Sequence, residues 1–176
     1  MSDQTKSSPT LPFATVVLRF LVILNWIYAA AILSLFGLLL IKKEWVMLAF
    51  KLPASQDTDL LLLGMGVIAV LGLVSISMHY FILKRLLLIV GTVRAGDPFV
   101  AANAMRLRGI AWMLLGLNVL AIVIGIIAKG VSTPGQPLKV NAGFSLYGWL
   151  AVLLTFVLAR VFEEGALMRE DLDWTV

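Results

Sequence analysis

Long apolar runs alternate with short polar breaks along this chain. Four runs, at about residues 16–41, 60–83, 110–128 and 142–162, are nearly free of charge. Each reaches the roughly 20 residues that a helix rising about 1.5 Å per residue needs to cross the hydrocarbon core of a bilayer. The pattern predicts an all-α fold, an integral membrane four-helix bundle. It divides the chain into a polar N-terminal tail (1–15), a four-span membrane domain (16–162) and an acidic cytoplasmic tail (163–176).

The break between the second and third runs is the most structured. Lys84 and Arg85 mark the point where a spanning helix leaves the lipid. Residues 86–93 are rich in leucine, isoleucine and valine, so the helix can continue past that point. Gly96 is placed to stop it, because glycine adopts the left-handed C-cap conformation without strain. Asp97 is then expected to cap the next helix and Pro98 to occupy its first position, where no N–H is needed. Phe99 reads as a packing anchor. Asn103, Arg106 and Arg108 sit on the new helix before Ile110 re-enters apolar sequence. The expectation is a cytoplasmic helical hairpin extension between helices 2 and 3.

Composition agrees with a membrane location. Of 176 residues, 61% are hydrophobic and only 14% charged, and the mean hydropathy is +1.00. Soluble domains carry roughly a quarter charged residues. Four spans leave no room for a separate soluble domain. The net charge of +4 is spread over the membrane edges, which suits topology and anionic lipid rather than direct nucleic-acid binding. The absence of cysteine removes disulfides and thiolate metal sites. The polar start and the length of the first run argue against a cleavable signal peptide.

Charge also predicts orientation, since short loops rich in Lys and Arg remain cytoplasmic. One set of edges holds Lys6, Arg19, Lys84, Arg85, Arg94, Arg106, Arg108, Arg160 and Arg169. The other holds Lys42, Lys43, Lys51, Lys129 and Lys139. Every arginine falls in the first set, although Lys42 and Lys43 locally oppose the trend. Both termini are therefore expected in the cytoplasm, with the lipid bilayer as the main partner. Between the first two spans, Trp45, Met47, Leu48 and Phe50 suggest a segment lying on the membrane surface. Small residues at Ala151, Thr155 and Ala159, at Ala121 and Gly125, and at Ala30 and Ser34 allow close helix approach. They fit either a closed monomeric bundle or a homodimer.

Candidate chemistry inside the spans is sparse. Asn25 needs a partner in lipid and is expected to hydrogen-bond to another helix, while Asn118 lies buried midway along the third run. His79 is the only histidine, and Ser75 is its helical neighbour with no orienting acid nearby. No catalytic, metal-binding or cofactor-binding residues are expected, and the chain is not read as an enzyme. A small transporter or channel subunit is the alternative reading, but no carboxylate lies within the four runs to carry protons or cations.

Half of the acids lie beyond the fourth run: Glu163, Glu164, Glu170, Asp171 and Asp173, with Arg169 among them. This tail and the basic turn share one predicted side of the membrane and carry opposite charge. The candidate docking residues are therefore Arg94, Asp97, Pro98, Phe99, Arg106 and Arg108 on the turn, with Glu163, Glu164, Arg169, Glu170 and Asp171 on the tail. They would bind each other or a partner. The expected role is regulatory, with hairpin and tail engaging a cytoplasmic protein. An acidic tail can compete with DNA for a regulator's basic surface.

The Gly96-Asp97-Pro98-Phe99 turn, Asn103, Arg106-Leu107-Arg108 and the ending Phe162-x-x-Gly165 through Met168-Arg169-Glu170-Asp171 to Thr175-Val176 resemble a bacterial membrane family, the domain-of-unknown-function family 2975. The resemblance spans most of the chain in hydropathy, with its specific motifs in the turn and the tail. It implies a place in the bacterial cytoplasmic (inner) membrane. Family members are often encoded beside a small Cro/C1-type helix-turn-helix regulator, so it also implies such a DNA-binding protein as a cytoplasmic partner. It implies no catalytic residues.

Overall fold

The computed structural model describes residues 10–49, 56–132, 140 and 142–173. These form five helices: α1 (Thr10–Ile41), α2 (Lys43–Ala49), α3 (Gln56–Arg94), α4 (Ala101–Val131) and α5 (Leu146–Asp173). No strand occurs among the described residues. Three helical stretches, Leu11–Ile41, Thr58–Arg94 and Ala101–Val131, are long and apolar enough to cross a membrane. The fourth long helix, α5, joins an apolar stretch ending near Ala159 to a charged one starting at Arg160.

The helices overrun the predicted spans. α3 has 39 residues, about 58 Å at 1.5 Å per residue, nearly twice the hydrocarbon thickness. It continues unbroken through Lys84 and Arg85 because the following Leu, Ile and Val residues keep an apolar face. α1 begins at Thr10, before the expected end of the polar tail. α5 runs through residue 162 to Asp173 without a break, so the acidic segment is the end of a helix rather than a separate tail. Residues 1–9, 50–55, 133–139, 141 and 174–176, with Phe50 of the expected surface segment among them, lie outside the described residues.

The long helices pack in chain order, each antiparallel to the next. Trp26 of α1 meets Tyr80 of α3 edge-on, with ring centroids 5.7 Å apart. Thr92 of α3 meets Asn103 of α4, and Trp112 of α4 meets Phe156 of α5, centroids 5.5 Å apart. Among the described residues no Cα of α1 lies within 8 Å of one in α4 or α5. The helices thus form a row, and the ring of neighbours that would close a bundle is not made. α2 folds back on the end of α1, burying Val46 while Trp45 and Leu48 stay exposed.

α4 sits inside the row and carries the largest share of the core: Asn103, Ala104, Leu107, Ile110, Ala111, Gly125 and Ala128 are buried. Its small residues allow this. A β-carbon at position 125 would come within 2.6 Å of the Ala142 carbonyl oxygen, so glycine there sets how closely the chain entering α5 approaches. Ala159 of α5 is also buried. Ala151 lies exposed, as do Ala30 and Ser34 of α1, so those small residues are not at the contacts within the chain.

Candidate functional site

The turn between α3 and α4 is built on two backbone closures. The Gly96 amide donates to the Val93 carbonyl at 3.1 Å and the Asp97 amide to the Thr92 carbonyl at 3.0 Å. This pair is the Schellman motif, and Gly96 supplies the left-handed residue it requires, with φ of +82°. Past it the chain is extended, and α4 starts only at Ala101, with Val100 as N-cap and no side-chain cap. The expectation that Asp97 caps α4 and Pro98 opens it is therefore corrected. The Asp97 amide is already spent closing α3, and its carboxylate is held by Arg169 of α5.

Asn103 fastens the junction, although no side chain caps the first-turn amides of α4. It is fully buried. Its Nδ2 donates to Thr92 Oγ1 at 2.7 Å and to the Pro98 carbonyl at 2.8 Å. Its Oδ1 accepts from Arg106 Nη1 at 2.7 Å. One amide thus joins the end of α3, the extended segment and the first turns of α4. Buried polar groups persist only when their hydrogen bonds are met, and here both donors and the acceptor are used. In sequence, the available signal was a polar residue on each side of the Gly-Asp-Pro turn, Thr92 before it and Asn103 after it.

The end of α5 closes on this turn. Phe99 packs against Phe162 with centroids 5.2 Å apart. A β-carbon at Gly165 would come within 2.7 Å of the Phe99 ring, so the ring rests in a notch that glycine leaves open. Arg108 Nη2 donates to Glu163 Oε2 at 2.9 Å. Glu163 also accepts from Arg160 at 3.3 Å, and Glu164 from Arg160 Nε at 2.9 Å. Of the candidate docking residues, the structure brings together Asp97 with Arg169, Phe99 with the α5 face, and Arg108 with Glu163. Arg106 turns instead to Asn103 and the Leu88 carbonyl. Pro98 contributes its carbonyl to Asn103. Arg94 ends α3, exposed and without a partner among the described residues. The Asp171 side chain lies outside the described residues.

Beside these contacts is a cleft of about 300 Å³ between the start of α4 and the end of α5. Phe99, Met105 and Leu167 form its apolar surface, and Arg108, Glu163 and Glu170 its charged rim. Because neighbouring helices are antiparallel, all seven arginines lie toward this end of the row, while Lys42 and Lys129 lie at the other. The intramembrane polar groups are elsewhere. Asn118 Nδ2 donates to the Leu114 carbonyl of its own helix at 2.8 Å, and His79 Nδ1 lies 2.8 Å from the Ser75 carbonyl. The interhelical bond expected of Asn25 is not formed among the described residues.

No curated protein and no solved structure matches the chain. A family model does, over residues 50–176. That stretch holds the Schellman closure, the Asn103 tie and the whole α4–α5 pair, and by it the chain belongs to the family described as Protein of unknown function (DUF2975).

Proposed function

We propose that this is a multi-pass regulatory protein of the bacterial cytoplasmic membrane that acts by binding rather than by catalysis. In this reading all four long helices cross the bilayer and both termini are cytoplasmic. The end holding the α3–α4 turn and the end of α5 engages a cytoplasmic DNA-binding regulator, and the protein itself binds no nucleic acid.

The observation that carries this reading is the cleft beside the turn. Two chain segments 55 or more residues apart combine there, Phe99–Arg108 with Glu163–Glu170, around exposed apolar side chains ringed by both signs of charge. An apolar patch with a charged rim is the usual make-up of a protein contact surface. The grouping of arginines at the same end supports a cytoplasmic location for it.

A photo-crosslinking amino acid at Met105, which is exposed in the cleft, tests the reading in intact cells. The expected adduct is a soluble DNA-binding protein, lost when Arg108→Glu and Glu170→Lys change the rim. Adducts with lipid or membrane proteins alone would reject it.

A further inference from the structure

At the interface of α1 and α3 lies a second cleft, of about 470 Å³, with Ile124 of α4 at its back. Its volume falls in the range of small-molecule pockets, roughly 300–1,000 Å³. Asn25 and Tyr28 of α1 and Ser75 and His79 of α3 converge on it from two helices. The rest of its wall is apolar, including Leu24, Ile76 and Ile82, and among the described residues no Asp, Glu, Lys or Arg lines it. Gly72, opposite Ile32, closes one end by letting α1 approach α3.

Its depth is set by the helices. Asn25 lies six residues past Arg19, and His79 five residues before Lys84. At 1.5 Å per residue the polar cluster is about 8 Å beyond the level of those cations, on the hydrocarbon side of a headgroup layer. In that environment hydrogen-bonding groups need partners. Among the described residues neither the Asn25 amide nor the Tyr28 hydroxyl has one. His79 Nδ1 faces a carbonyl oxygen, so Nδ1 carries the proton and donates. In the neutral ring Nε2 is then left as an acceptor. The cleft therefore offers an amide donor and acceptor, a hydroxyl and an imidazole acceptor, all within apolar walls.

We propose that the α1–α3 cleft binds an uncharged amphiphile, with a hydroxyl- or carbonyl-bearing head held by Asn25, Tyr28 and His79 and an apolar tail lying against α1 and α3. The absence of charged side chains from the lining excludes a charged head as the preferred ligand. The cleft would bind in this way whether or not the opposite face of the row engages a regulator. Two sources share this chemistry, a glyceride of the bilayer and a free lipid-soluble carbonyl compound such as an alkylated quinone.

The full chain in nanodiscs of phosphatidylethanolamine and phosphatidylglycerol provides the test. The probe is a monoacylglycerol carrying a diazirine and an alkyne near its head, with adducts located by mass spectrometry. Adducts are expected to concentrate on residues 21–32 and 72–83. Asn25→Leu and His79→Leu should each lower labelling about tenfold, the loss of one good hydrogen bond. His79→Gln, which keeps an acceptor, should retain most of it. Ile124→Phe fills the cleft without touching the polar groups and should also abolish labelling, which covers the case of a polar variant that fails to fold. Displacement by unlabelled diacylglycerol assigns the ligand to the bilayer, and displacement by a short-chain alkylbenzoquinone assigns it to the free compound; either result supports the proposal. Labelling spread evenly over α1, including the outward-facing Ile23 and Ile27, and unchanged by these variants would overturn it, as would displacement by neither competitor.

Discussion

The α1–α3 pair and the α4–α5 pair are both antiparallel, yet they are packed on different terms. None of α1 from Leu11 to Ile41 is buried, and several of its large residues, among them Phe13, Phe20 and Ile27, face outward. Its contact with α3 leaves clefts on both sides, each containing Asn25. The α4–α5 pair is tight where glycine or alanine permits it, at Gly125 and Ala159, and at one end α5 is joined to α4 by the Arg108–Glu163 pair and to the preceding turn by the Asp97–Arg169 pair and the Phe99 ring resting against Phe162 and Gly165. The family match takes in α4–α5 and α3 and begins after α1. Lipid offers no hydrophobic drive to bring apolar helices together, so close packing and polar ties decide which pairs are firm. The first pair meets closely at Trp26–Tyr80 and at Gly72 and keeps space for a ligand between; the second adds ion pairs to its close contacts and presents a preformed surface.

This contrast predicts a graded response to mutation, read as thermal unfolding in detergent by circular dichroism. The largest effect belongs to Asn103→Leu, which removes a hydrogen-bond partner from Thr92 Oγ1, the Pro98 carbonyl and the Arg106 guanidinium together. A loss of about 3 kcal/mol is expected, because a buried polar group left without its partner costs about 1–3 kcal/mol. An unchanged melting temperature would mean that the tie is dispensable.

Gly125→Leu comes next. Its β-carbon meets backbone atoms of Ala142 and Gly143, which cannot swing aside, so a loss of about 2 kcal/mol is expected from overpacking. Gly37→Leu on α1 is the matched control, with nothing within 4 Å of its β-carbon. It should change stability by less than about 0.5 kcal/mol or raise it slightly, since leucine favours helix over glycine. Equal losses at the two positions would erase the distinction between the pairs.

The ion pairs should matter less than the packing. Asp97 and Arg169 are partly exposed, and such pairs contribute at most about 1 kcal/mol. A double-mutant cycle with Asp97→Asn and Arg169→Ala should give a coupling below that, falling as salt rises, whereas Phe99→Ala should speed proteolysis of the α5 end in salt as well. If Asp97→Asn alone released that end, charge rather than the Phe99–Gly165 fit would be holding it.

The arrangement of apolar runs was enough to foresee long helices and a membrane location, because lipid admits a spanning chain only if its backbone bonds close within a helix. Gly96 was legible as a helix stop for a similarly local reason: only a left-handed residue completes that closure. Other features depend on neighbours that are distant in the chain. Residues past 162 read as a tail because their charges look solvated, but contacts with Phe99, Asp97 and Arg108 let α5 continue to Asp173. The pairing of Arg108 rather than Arg106 with Glu163 depends on which face of α4 meets α5. Asn103 looked like one polar residue among several until folding placed Thr92 and Pro98 around it. Local sequence sets where a helix can form and stop, since those bonds span only a few residues; which faces meet, and so where clefts and ties arise, is settled only when separate helices compete for the same neighbours.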